Sequence, residues 1–525
     1  MHINCPTISY TNRYRQLKKH KMKNIFVILT INLFISISAK SQISYENRIE
    51  IDLKDGYGNE EIFEFGKHGF VMSSKNQEVT GNKTEYKFEK YNTELKLVQT
   101  RNILLDKKFR VDETFTNDKR LHSLFKDRKG NFSIVTFESS DLKLTQVNGV
   151  LPKKAWIKDM SILGDYAFFS ASIKRSPFLY SVNWKTGEKS LIPILVGNIN
   201  PKKISIINFQ VLESSNEIFV YVKAIIDKSK SDIYVIRLNN KGSKVDAFNL
   251  TENVEENIID VSALRLDEDK YIYTGTYSTK YTSSSEGLFF CQTEENKINF
   301  IEFYSFLDLE NFLSYLPEKR QEKIEKKKEK KEKKGKELKF NYRISPHEII
   351  SLDDGYLFLG EAYYATYRSE TYTTTSTVNG VTTTTTQTRQ VFDGYQYTHA
   401  VLGKFDKKGK LLWDETFEMW SAYKPFYVKQ FISIAEKGQN SIKLVFASRN
   451  KIISKSIDFS GSVLQDIQSE EIQTNFERDK VKRSFSNINH WYENYFIAYG
   501  NQKIKNIDDK RKRKVYFINK IKFEN

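Results

Sequence analysis

The chain has almost no cysteine. Of its two cysteines, Cys5 lies in a segment that reads as a removable leader, so Cys291 would stand alone after processing. One cysteine cannot form an internal disulfide, which excludes a stapled scaffold and leaves burial and strand pairing to hold the fold. Cys291 follows Leu288-Phe289-Phe290, the setting of a buried, inert thiol rather than a nucleophile or metal ligand. Histidine is sparse too. His68, His122, His347, His399 and His490 come after the leader, and none shares a metal-ligand spacing such as His-x-x-x-His. No Gly-x-Ser-x-Gly elbow, phosphate-cradling glycine loop or calcium loop is present. The acidic runs Asp267-Glu268-Asp269 and Asp353-Asp354-Gly355 occupy turns before strands, which turn chemistry explains, with a divalent-cation site or a carboxylate pair for glycoside chemistry as the alternative. No catalytic residue, metal or cofactor is assigned.

Long apolar runs are missing as well. The longest candidate, Ile25 to Ile37, is broken by Thr30, Asn32 and Ser36 and is too short to span a bilayer comfortably. Lys18, Lys19, Lys21 and Lys23 precede it, and Ala39-Lys40-Ser41 comes next with small residues at cleavage-site spacing. Residues 1–41 therefore read as an export signal, with Gln42 the mature terminus. Met22 begins a more compact signal than Met1. No cysteine follows the apolar core, which argues against a lipidated terminus. Export leaves a periplasmic, outer-membrane-associated or extracellular location open.

The formal charge of +17 invites a nucleic-acid reading, but it is unevenly placed. The leader holds seven Lys/Arg and no Asp/Glu, and residues 318–339 hold twelve Lys/Arg against six Glu. The remaining body is near +4, an ordinary surface balance. No recognition helix, zinc finger or aromatic RNA-binding signature accompanies the charge, so nucleic acid is not an expected partner.

What the chain does have is a recurrence. Eight times a turn cluster leads into a short apolar-aromatic strand, whose first residues are Phe70, Phe132, Tyr166, Ile218, Tyr271, Tyr356, Ile442 and Tyr495. Three of the gaps are about 53 residues and two exceed this by about 32. The 34-residue gap after Phe132 is tight for four strands. Hairpin signals recur in phase, such as Asn239-Asn240-Lys241-Gly242, Asp406-Lys407-Lys408-Gly409 and Asp458-Phe459-Ser460-Gly461. This predicts an all-β fold: a β-propeller of about eight four-stranded blades, with seven as the alternative, filling residues 42–525. The last copy lacks an outer strand, and the alternating Ile49, Ile51 and Leu53 can supply it, closing the ring.

Two insertions lengthen the unit. Across 308–340, Leu309, Phe312, Leu313 and Leu316 have helical spacing. Pro317 then opens a Lys/Glu helix with almost no apolar face. Such an arm is either a solvated projection or a basic contact with an anionic envelope surface. Across 364–397, two Thr-rich arms flank Asn379-Gly380, a strong hairpin signal with both faces polar. One stretch is richer than packing requires. Glu361, Tyr363 and Tyr364, with Tyr395, Tyr397, His399 and Trp413, place an acid, a histidine and aromatics on one blade as a candidate binding surface.

These degenerate repeats resemble secreted β-propeller-like repeat proteins of Gram-negative envelopes, many without assigned function. The resemblance covers residues 43–525 and implies the fold and a general binding role. A recurring Trp-Asp signature and kelch glycines are absent, Trp-Asp occurring once, at Trp413-Asp414. The expectation is an exported, non-enzymatic, monomeric module that binds protein or glycan. The alternative is a propeller hydrolase or lyase with carboxylates in a central pocket.

Overall fold

The computed structural model describes residues 43–53, 57–76, 81–336, 338–340, 342–434, 440–508 and 510–523. The expected leader at 1–41 lies outside them. Residues 45–521 form one compact unit. Of the other unit, only Ile43, Ser44, Lys522 and Phe523 are among the described residues.

Eight antiparallel sheets succeed one another along the chain, each with a four-strand path, and in the first seven the path follows chain order. In chain order the blades span 57–106, 110–150, 156–193, 204–249, 257–305, 343–418, 433–471 and 479–523. The eighth takes its fourth, outermost strand from the start of the chain, Ile43–Asp52. In the sixth, the first strand is split into Arg343–Pro346 and Ile350–Leu352, both pairing with the long strand Gly355–Val378. The protein is an eight-bladed β-propeller.

The reason the recurrence shows in the sequence is burial. Second and third strands sit between neighbouring blades and are apolar on both faces, as in Glu217–Ile225 and Gly287–Glu294. Fourth strands are mostly exposed, as in Val463–Glu471. Hydrophobic clusters join successive blades. One holds Phe219, Tyr221, Tyr271 and Tyr273 of the fourth and fifth. Another holds Ile62, Phe70, Met72, Trp491, Ile497 and Tyr516 of the first and last. The Trp491 indole donates to the Gly69 carbonyl at 3.1 Å. The ring closes.

The expected phase is right in seven blades and wrong in the second. Phe132 lies in the third strand of that blade, Asn131–Glu138, and the true second strand is Arg120–Lys126. The spacings from Phe70 to Leu121 and from Leu121 to Tyr166 are then 51 and 45 residues, and the tight gap disappears. The error came from Asp127-Arg128-Lys129-Gly130, which uses the turn chemistry seen elsewhere between third and fourth strands. Here the turn, with Gly130 at φ 90°, joins second to third.

The first insertion is half as expected. Pro317 precedes the helix α1, Glu318–Glu332, which has no buried residue. Leu309 to Leu316 is not helical but a chain of turns, in which Phe306, Leu309 and Phe312 are buried against the sixth blade. Packing on Tyr342 and His399 sets that backbone, not periodicity. The hairpin is as expected, with Thr371 opposite Thr388 and Thr377 opposite Thr382. Asn379 and Gly380 turn at φ 51° and 79°.

Candidate functional site

Innermost strands enclose a central cavity of about 1000 Å³. Its wall draws on the first strands of the second to sixth blades, and on Val428, Lys429 and Gln430 from the connection after the sixth blade. Polar side chains can face inward there because the channel is wet, so the apolar pattern is broken in these strands. Asn208 and Gln210 are committed to structure: their amides donate to the carbonyls of Val261 and Ala263 on the next blade at 3.1 and 2.9 Å. Asp159, Asp260, His347, Glu348, Tyr363 and Lys429 line the remaining polar wall.

Electrostatics single out the carboxyls. Burial pushes Asp260 up to about 6, against a hydrogen bond from Val261 N–H and the charge of Lys158, while Asp159 adds to the rise. Burial likewise pushes Glu113 up to about 7, with Asp159 and Asp112 contributing. Glu64, on the first blade, is raised to about 7 by burial although the Asn489 amide donates to it at 2.6 Å. Of the three, Asp260 lines the central cavity, where a carboxyl with a value near neutrality can exchange protons at working pH.

His347 is held from behind. Its Nε2 donates to the Glu361 carboxylate at 2.8 Å, which leaves Nδ1 for the cavity. Glu361 is fully buried and also accepts from the backbone N–H groups of Phe431 and Ile432, at 2.9 and 2.8 Å. The Tyr397 hydroxyl donates to the Lys429 carbonyl at 2.6 Å and accepts from the Lys429 N–H at 2.9 Å. Together these groups fasten residues 429–432 across the cavity wall.

The seven residues of the expected binding surface do not form one face. Glu361 and Tyr397 are buried as ties for that segment, and Tyr363 alone among the seven lines the cavity. Tyr395 is half-buried beside Tyr363 and Phe392, and Tyr364 is exposed. His399 points the other way, into the first insertion, where the Tyr315 ring stacks on it at 3.8 Å. Burial pushes His399 down to about 3. Trp413 lies on the fourth strand, its indole donating to the Phe459 carbonyl at 3.2 Å. Strand alternation and blade order separate residues that are neighbours in sequence.

Asp159, Asp260, Lys158 and Lys429 were not singled out from the sequence, though Lys158-Asp159 does interrupt an apolar strand. Cys291 is buried and its thiol is pushed up to about 12, as its context implies. Among the described residues, no group of three or more His, Cys, Asp or Glu is placed to hold a metal ion.

No protein-family pattern matches the chain, and no curated protein matches it either. Solved structures similar to it include three at low identity. Prolyl oligopeptidase B from Galerina marginata matches at 11% identity and TM-score 0.36, over 87% of this chain and 56% of its own. The β-propeller domain of the trilobed protease from Pyrococcus furiosus matches at 8% and 0.33, over 78% and 93%. A polysaccharide lyase matches at 7% and 0.38, over 91% and 100%. The match spans about half the length of the oligopeptidase.

Proposed function

We propose that the protein is an exported, monomeric binding propeller that takes a segment of glycan or peptide into its central cavity. The observation that carries this reading is the cavity itself: about 1000 Å³, open to solvent, with the aromatic residues Phe115, Phe209 and Tyr363 among ionic and hydrogen-bonding groups. Such a wall suits a polar, flat-faced ligand that presents both donors and acceptors. The solvated helix α1 supports a further contact with an anionic envelope surface.

A second reading, hydrolysis or elimination, is favoured by one observation. Asp260 is raised to about 6, chiefly by burial with the charge of Asp159 adding to it, and a carboxyl held near neutrality in a cavity fits an acid–base role.

One screen tests both. Oligosaccharide and peptide arrays are probed with the parent chain and with Tyr363→Ala and Asp260→Asn. Hits lost in Tyr363→Ala support cavity binding, and hits retained in both variants contradict it. Cleaved product from a bound hit, abolished in Asp260→Asn, would replace the binding reading with the enzymatic one.

A further inference from the structure

Strand direction assigns every turn to one of two faces. Turns between second and third strands share a face with the blade-to-blade connections, and turns between first and second strands lie on the other. On the first of these faces, five successive turns of the first four blades each carry two adjacent cations. They are Lys107-Lys108, Arg128-Lys129, Lys153-Lys154, Lys174-Arg175 and Lys202-Lys203. All are exposed and none is in an ion pair among the described residues, although Asp106 and Asp127 adjoin two of the pairs, their carboxylates accepting from the Lys108 and Lys129 backbone N–H groups. The opposite face differs. Its turns carry Asp118, Asp165, Asp269, Asp354 and Glu493, and some cations there are paired, as in Lys185–Asp165 at 2.7 Å and Arg237–Asp269 at 2.9 Å, while exposed Lys119, Lys241, Lys407 and Lys408 are in no ion pair among the described residues. Adjacent cations outside any ion pair thus recur on one face of the first four blades.

Two further features show that this arc is more than scattered lysine. Lys174 and Arg175 form the whole two-residue turn between Ile173 and Ser176, at φ 49° and 73°. That turn favours Asn-Gly, and two long side chains at positive φ are held there at a steric cost. Lys154 has φ 66° as well. The arc is also concave. A groove of about 770 Å³ lies among Lys107, Lys108, Arg128 and Lys129, with Asp112 and Asp127 also in its wall, and there burial and the charge of Arg110 push Lys75 down. A second groove, of about 340 Å³, sets exposed Trp156 beside Arg175, Lys202 and Lys203.

We propose that this arc binds a linear acidic polysaccharide, a polymer of sulfated or uronate sugars laid across the first four blades. Regularly repeated anions match cation pairs repeated from turn to turn, and Trp156 offers a face for one sugar ring. A single-stranded nucleic acid needs a series of aromatic platforms, and the arc has one. A flat bilayer is obstructed, because the hairpin 366–392 leaves the sixth blade on this same face, reaching about 40 Å at the rise of extended chain. Lys107, Lys108, Lys202 and Lys203 do not line the central cavity, so either reading can fail alone.

The test uses the full chain, with dextran sulfate as probe and uncharged dextran as control. Lys107, Lys108, Lys202 and Lys203 are changed together to Gln. A matched variant changes Lys119, Lys241, Lys407 and Lys408, which are equally exposed on the opposite face. The arc variant is expected to bind dextran sulfate about tenfold more weakly, the matched variant within about twofold of the parent, and binding should weaken as salt rises. Equal loss in both variants would overturn the proposal, as would binding of uncharged dextran or none of dextran sulfate. Tighter binding of polyuridylate, or of phosphatidylglycerol vesicles, would replace the polysaccharide with those partners. Circular dichroism checks that both variants keep the strand signal of the parent.

Discussion

Glu361 shows how a residue with the chemistry of a site can serve the scaffold. A fully buried carboxylate with four hydrogen bonds is satisfied only while residues 431–432 and His347 stay in place. Glu361→Ala should cost about 3 kcal/mol in urea unfolding, because it leaves buried N–H groups unpaired, and Glu361→Gln should cost less. Glu64 gives a pH signature. Its folded value, near 7, lies above the ordinary 4.5, so the folded chain keeps a proton that the unfolded chain releases in between. Stability from this group is fully present below about 4.5 and declines as pH rises through 7. Glu64→Gln should therefore melt higher than the parent at about pH 8 and lose that advantage at about pH 5. At this scale the sequence showed residue types but not directions. Glu361, Tyr397 and His399 were visible as a cluster, yet only the blade shows that His399 turns toward Tyr315 while Glu361 turns toward Phe431.

Among elements, second strands were the most legible, because burial on both faces writes a continuous apolar run. First strands were the least legible, since they line a wet cavity and mix Lys158, Asp159 and Asp260 into apolar context. One has only Ser433–Ile434 among the described residues. The insertion hairpin needed only Asn379-Gly380 and flanking β-branched arms. Its side chains are almost all exposed, so replacing 371–388 by a two-residue turn should move the melting temperature by less than about 2 °C. The strand Ile43–Asp52 is different. Arg48 bonds Glu50, Asn519 and Gln502, and Glu50 bonds Arg513 at 2.8 Å. Deleting 43–52 should cost about 3 kcal/mol or more in urea unfolding, through lost apolar burial and an opened edge. An unchanged midpoint would mean that the ring does not depend on this strand.

For the molecule as a whole, ring topology converts a weak sequence repeat into two chemically distinct faces. The lysine pairs of the arc are plain in the sequence, and the net charge conceals them. Their common side became visible only with every strand in its proper phase, and the slip at Phe132 displaced the second blade. The hairpin, helix α1, the connection after the sixth blade and the basic arc all leave the ring on one side. That side is where this chain departs from a plain propeller. The most direct measurement is hydrogen exchange on the full chain with and without dextran sulfate. Slowed exchange at 107–109, 128–130, 153–155, 174–176 and 202–204, with the turns around Asp118, Asp165 and Asp269 unchanged, is the expected result. Protection spread equally over both faces, or confined to the acidic one, would contradict it.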